Sequence, residues 1–151
     1  MLVGITGKKT SGKTYTANII KDNFAQVHIV PLALPVKAAV DAILRTCYGT
    51  SRFDKDTGHI PGLTLDYTLR DLYKAQGTGF RDHLHPRIWI DLNKVMITPL
   101  LDQRHTVIID DVRYLNEAEY IKSLGGHILR VIDPTLKSTD THVSETEMDS
   151  I

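Results

Sequence analysis

A chain of 151 residues is the size of one domain and can bury about two-thirds of its unfolded surface, so its stability requires neither a disulfide nor a structural metal. Eighteen basic residues balance eighteen acidic ones, which excludes a whole-molecule field for a nucleic-acid polymer or an anionic membrane and leaves room only for a local basic cleft. The single cysteine excludes an intrachain disulfide, and with no apolar run of about eighteen residues the expected location is the cytoplasm.

The chain opens on Leu2-Val3-Gly4-Ile5-Thr6, a short apolar run suited to a strand covered on both faces. From Gly7 it satisfies G-x-x-x-x-G-K-[ST], with Gly7, Gly12, Lys13 and Thr14 at the defined positions. Glycines let successive backbone N–H groups turn inward toward phosphate oxygens, and the helix that follows, over 13–22, adds its positive dipole end. Lys13 is placed to reach the β- and γ-phosphates, and the Thr14 hydroxyl to take a position on Mg²⁺. This is the pattern of a nucleoside triphosphate site.

A second strand is expected over 27–30, ended by Pro31. Val36, Val40, Ile43 and Leu44 then fall at helical spacing over 34–44, with Pro35 acceptable in the first turn. Cys47 stands among Ile43, Leu44 and Tyr48 and reads as a buried, inert thiol. Residues 50–64 lose periodicity and read as a mobile surface loop rather than a linker, so residues 1–151 form one expected domain. Helices follow over 69–76 and 86–101, the second carrying Ile88, Trp89, Leu92, Val95 and Met96. A strand over 106–109 ends in Asp110-Asp111, a helix over 116–124 is stopped by Gly125-Gly126, and a fourth strand over 127–132 closes at Asp133-Pro134. The rest, 134–151, is polar and reads as a lid-like tail.

The alternation of strand and helix with one phosphate loop predicts a three-layer α/β/α fold with a parallel sheet of about four strands and its ligand at their carboxyl ends. An acid ending a buried strand opposite a phosphate loop is what a magnesium partner requires. Asp110 and Asp111, adjacent in extended chain, should point to opposite sides, so only one is expected at the metal with Thr14, with Asp110 as the candidate and Asp111 as the alternative. Arg113 could grip a phosphate with two hydrogen bonds, or pair with Glu117, and Arg70 at a helix start could clamp an acceptor phosphate.

Taken together, GKKTSGKTYTANII, LALPVKAAV, LRDLYKAQGTGFRD, IIDDVRYLNEAEYIKSLGGHILRVIDP and KSTDTHVSE, in this order, resemble the phage deoxynucleoside monophosphate kinases over nearly the whole chain. The resemblance implies that Gly7, Ser11, Gly12, Lys13, Thr14 and Tyr15 hold ATP. It also implies that Asp111, Arg113 and Glu117 face acceptor and metal, and that Gly77, Thr78 and Trp89 line the deoxynucleotide pocket, to which Gln76, beside Gly77 where the family's glutamine stands three residues earlier, and Arg70 at its helix start are added as candidates. The segment 141–145 is similar to the stretch that covers the reacting phosphates.

The implied reaction is transfer of the ATP γ-phosphoryl group to the 5′-phosphate of a deoxynucleoside monophosphate, with Lys13, Arg113 and Asp111 as catalytic residues and Mg²⁺ as the ion. Another phosphate-loop kinase, of the dephospho-coenzyme A kinase kind, and a non-catalytic nucleotide-binding module are the alternatives. Relatives continue into a further strand and helix beyond the last motif, so one sheet edge is expected to lie open and to favour a homodimer.

Overall fold

In chain order the elements are β1 (Leu2–Thr6), α1 (Lys13–Asn23), β2 (Val27–Ile29), α2 (Leu34–Tyr48), α3 (Leu69–His83), α4 (Ile88–Asp102), β3 (Thr106–Val112), α5 (Leu115–Ser123) and β4 (His127–Arg130). The structure is a computed structural model that describes residues 1–56, 58–63, 66–135 and 150–151. Most of the 134–151 tail, with the 141–145 motif, lies outside the described residues. Two compact units emerge, one from Met1–Leu32 with Ile90–Ile151 and the other from Ala33–Trp89.

The first unit contains a four-stranded sheet in the order β2-β3-β1-β4, parallel throughout. Parallel strands need helical crossovers, and these cover both faces. Side chains alternate along β3 accordingly: Val107 and Ile109 join Leu2, Ile90, Ile97 and Ile121 in one core layer, while Ile108 joins Ile5, Val27 and Ala17 in the other. Thus α4 and α5 pack on one face and α1 on the other, the expected three layers. Gly4 is where α5 comes closest, since a Cβ there would lie 2.6 Å from Cδ1 of Ile121. Among the described residues, no helix is long and apolar enough to cross a membrane.

Strand β3 runs three residues beyond the expected end, and its register changes on the way. Leu2, Val3 and Gly4 face Val107, Ile108 and Ile109, whereas Thr6 faces Val112, so Asp110 and Asp111 together oppose Ile5. One extra residue in a strand is a bulge, which bends the chain and re-aims side chains. Strict alternation places Asp111 in the layer of Val107 and Ile109. Beyond the extra residue Val112 lies in that layer too, fully buried.

The second unit is built on α2 and α3, whose core joins Val40, Leu44, Ile60 and Leu69 with half-buried Phe53, Leu72 and Tyr73. Ile60 shows that the 50–64 segment, although without helix or strand among its described residues, contributes an anchor to this core. Helix α3 begins with a capping box in which Thr68 and Asp71 satisfy each other's backbone N–H groups. The Thr68 hydrogen bonds hold the Asp71 carboxyl below its ordinary value. The helix continues to His83 rather than ending at Gln76. Gly77 and Gly79 each cost about 1 kcal/mol in a helix interior, a penalty that packing of the later turns offsets. Helix α2 also runs further, to Tyr48, where Gly49 at φ 70 closes it.

Cys47 is exposed, contrary to the expectation of a buried thiol. The buried positions of α2 are Val36, Val40 and Leu44, and the core stops one turn short of the cysteine.

Tyr73 Oη donates to Asp41 Oδ1 at 2.8 Å, tying α3 to α2. Burial first, and that hydrogen bond second, push the Tyr73 phenol up to about 12. A raised folded-state value favours the protonated form. Its contribution to stability is therefore complete below the ordinary value of 10.0 and is lost as pH rises through about 12. Ultraviolet titration of the phenols should show one late component that Tyr73→Phe removes. A single transition near the ordinary value in the wild type would contradict it.

Candidate active site

The loop from Gly7 to Gly12 leaves the carboxyl end of β1 and enters α1, and two glycines make the path feasible. Gly7 has φ 143, and a Cβ on it would lie 2.4 Å from the Val131 carbonyl oxygen. Gly12 stands at the α1 N-cap with φ 94 in the left-handed region. No side chain caps this helix and no acid occupies its first turn, so its leading N–H groups and positive dipole end are directed at whatever the loop encloses. Lys13 Nζ donates to the carbonyls of Gly7 at 2.6 Å and Lys8 at 2.7 Å, which folds the ammonium back over the loop.

Because β1 and β3 are parallel neighbours, their carboxyl ends lie side by side, and Asp110 is brought to the loop. Thr14 Oγ1 donates to Asp110 Oδ2 at 2.9 Å. The next carboxylate points to the other face, as alternation requires: Asp111 Oδ1 accepts from the Leu32 N–H at 2.8 Å. Opposite directions for the two acids were expected from extended geometry. The structure decides which one meets Thr14.

Three side-chain oxygens around the loop, Thr6 Oγ1, Ser11 Oγ and Asp110 Oδ1, are buried and have no hydrogen-bond partner. Thr6 is fully buried, and Ser11 and Asp110 are 8% and 7% exposed. An unsatisfied buried polar group costs about 1–3 kcal/mol, so three in one place mark a site shaped for water, ion or ligand. Hard oxygen donors from a hydroxyl and a carboxylate are the set magnesium favours, and the partnerless Asp110 oxygen fits a metal-bound water.

Arg113 follows β3 and is half-buried. Glu117 Oε2 accepts from the backbone N–H groups of Arg113 at 2.8 Å and Tyr114 at 3.1 Å. Glu117 is 2% exposed and caps α5, so it shapes the turn that carries Arg113. Tyr15, on α1, is 72% exposed.

The remaining predicted residues belong to the second unit. Trp89 is 3% exposed. Its Nε1 donates to the Gly77 carbonyl at 2.8 Å, and its ring stacks on Phe80 with centroids 5.3 Å apart. Gln76 lines an apolar groove of about 700 Å³ between α2 and α3, with Val40, Ile43, Leu72 and Phe80 among its walls. Thr78 is half-buried on α3. Arg70 Nε and Nη2 donate to the two carboxylate oxygens of Asp56, the latter at 3.2 Å.

Thr6, Asp56 and Phe80 were not singled out by the sequence. A threonine closing an apolar strand before a phosphate loop was a usable signal for the first. Nothing local marks Asp56, which lies among other polar residues.

A family model for deoxynucleotide monophosphate kinase matches residues 49–150. A protein of Acanthamoeba polyphaga mimivirus named "Putative deoxynucleotide monophosphate kinase" is 32% identical over 163 aligned positions, covering 100% of this chain and 83% of the relative. The chain belongs to the deoxynucleotide monophosphate kinase family. As a member it is a kinase, with a fold of the phosphate-loop type and a nucleoside monophosphate as the implied substrate. Arg70, Gln76, Gly77, Thr78, Trp89, Asp110, Asp111, Arg113 and Glu117 all lie within the span matched by the family, and the phosphate loop lies within the span aligned to the viral relative.

Proposed function

We propose that this family member transfers the γ-phosphoryl group of ATP to the 5′-phosphate of a deoxynucleoside monophosphate, yielding a deoxynucleoside diphosphate and ADP. The observation that carries the reading is the bond from Thr14 to Asp110 beside three buried, partnerless oxygens at the mouth of a glycine loop. Gly7, Ser11, Gly12, Lys13, Thr14 and Tyr15 are assigned to ATP. The open α1 amides receive phosphate oxygens, and Lys13 exchanges its carbonyl partners for the β- and γ-phosphates. Thr14 and Asp110 would hold magnesium, whose charge when bound offsets that of the triphosphate.

Arg70, Gln76, Gly77, Thr78 and Trp89 are assigned to the acceptor, as are Asp111, Arg113 and Glu117 of the first unit. Arg113 offsets charge on the transferring group, while Glu117 holds its backbone and Asp111 anchors the chain at Leu32. Trp89, buried and bonded to Gly77, packs behind the acceptor pocket. The acceptor phosphate is already ionised near neutral pH, so no general base is required. Catalysis is placement and charge neutralisation.

The test is formation of ADP from ATP with dGMP, dTMP, dCMP or dAMP, and with the ribonucleotides, in the presence and absence of magnesium. Magnesium-dependent turnover of at least one deoxynucleotide is expected. Turnover of dephospho-coenzyme A alone, or ATP binding without acceptor-dependent ADP, would replace this reading by one of its rivals. The same proposal places the enzyme in the cytoplasm where nucleotides are made, within a single kinase domain. Among the described residues, strand β4 stands at the sheet edge with Leu129 exposed and Ile132 exposed just beyond it, which supports pairing with a second copy, to be judged by light scattering.

A further inference from the structure

Arg70 is the cation assigned above to the acceptor phosphate, and it is already engaged. Its Nε and Nη2 donate side by side to the two carboxylate oxygens of Asp56. The guanidinium fork matches carboxylate and phosphate alike, so the Asp56 oxygens stand where two phosphate oxygens would bind. We infer that Asp56 is a built-in stand-in for the acceptor's 5′-phosphate, which must displace it from Arg70, and that this exchange sets the affinity for the deoxynucleoside monophosphate.

Geometry and charge favour exchange over a fixed strut. The Arg70 side chain is 24% exposed and that of Asp56 51%, so the contact sits at the surface and opening it uncovers no core. The Arg70 backbone N–H is held by the Lys55 carbonyl at 3.0 Å, so the start of α3 stays in place when the carboxylate leaves. Asp56 in turn has its own N–H bound to Asp54 Oδ1 at 3.0 Å, within a segment that carries Gly58 and Gly62 and, among its described residues, no helix or strand. A phosphate monoester carries nearly two charges at neutral pH against one for the carboxylate, so the acceptor is the stronger partner for one guanidinium.

The inference rests on the reading of Arg70 as an acceptor ligand, and the experiment separates the two. Full-length wild type, Asp56→Asn, Asp56→Ser and Arg70→Ala are compared in steady state, using whichever deoxynucleotide the panel turns over fastest. Both Asp56 variants should lower KM for the acceptor by about two- to five-fold, the worth of one exposed ion pair, with kcat and the KM for ATP unchanged. Inhibition by the corresponding deoxynucleoside, which lacks the phosphate, should be the same in all. Arg70→Ala should raise the acceptor KM by about ten-fold or more. An unchanged acceptor KM in Arg70→Ala would remove Arg70 from the site, and the stand-in with it. A raised acceptor KM in Arg70→Ala, combined with an unchanged or raised KM in the Asp56 variants, would overturn the stand-in alone and make Asp56 a support for the guanidinium.

Discussion

Replacing Lys13 with alanine is expected to lower kcat by about 10²–10³-fold while the protein remains folded. The ammonium sits on the loop itself and donates to two of its carbonyls, Gly7 and Lys8. When the lysine is lost the Lys8 carbonyl keeps its bond from the Ser11 N–H, and the Gly7 carbonyl loses one partner, a cost small against the stability of a domain. With triphosphate bound, a compact charge at this position acts on the oxygens where negative charge gathers during transfer, and neutral alanine cannot. Lys13→Arg should recover little, since a planar fork is larger than the point charge that this loop encloses. The measurement is single-turnover ADP formation beside a thermal melt. A variant with near-wild-type rate would remove the phosphate loop from the chemistry, and one that fails to melt cooperatively would make Lys13 a structural residue.

Trp89→Ala is expected to give the largest loss of stability, about 3–5 kcal/mol, against a total of about 5–15 kcal/mol for a domain. Its indole is 3% exposed, stacks on Phe80 and bonds the Gly77 carbonyl, so truncation leaves a cavity and an unpaired acceptor together. Trp89→Phe separates the two, keeping most of the packing while removing the N–H, and should cost about 1–2 kcal/mol. Chemical denaturation of both variants reads these values directly. If Trp89→Ala were nearly neutral in stability but raised the acceptor KM, the ring would be a ligand-facing residue and not an anchor.

The two residues differ in how far they were legible beforehand. Lys13 and its glycines announce themselves, because a phosphate cradle is local: its spacing, the strand before it and the helix after it are written in fewer than twenty consecutive residues. Trp89 could be read either as a base-facing ring or as a core anchor, since a tryptophan on an amphipathic helix satisfies both. The partners it meets, Gly77 and Phe80 from α3, are not visible in the sequence, and the Trp89→Ala measurement distinguishes the two readings. Cys47 was misread for the same reason, as apolar neighbours in sequence did not reveal that the core ends at Leu44. Helix α3 outran its expected end because two glycines are a local penalty and packing is not.

By itself the sequence determined the parallel α/β architecture, the phosphate loop and the presence of an acid at the end of a neighbouring strand, all of which follow from periodicity and short-range spacing. Tertiary structure decided which acid that is. The packing of α1 on the Ile108 face of the sheet gives Asp110 to Thr14, and the opposite face gives Asp111 to Leu32. It also decided what Arg70 holds, since its partner Asp56 lies in a segment without a periodic pattern and is joined to it by charge across fourteen residues. Register and long-range pairing depend on contacts between distant parts of the chain, and local composition carries no record of them.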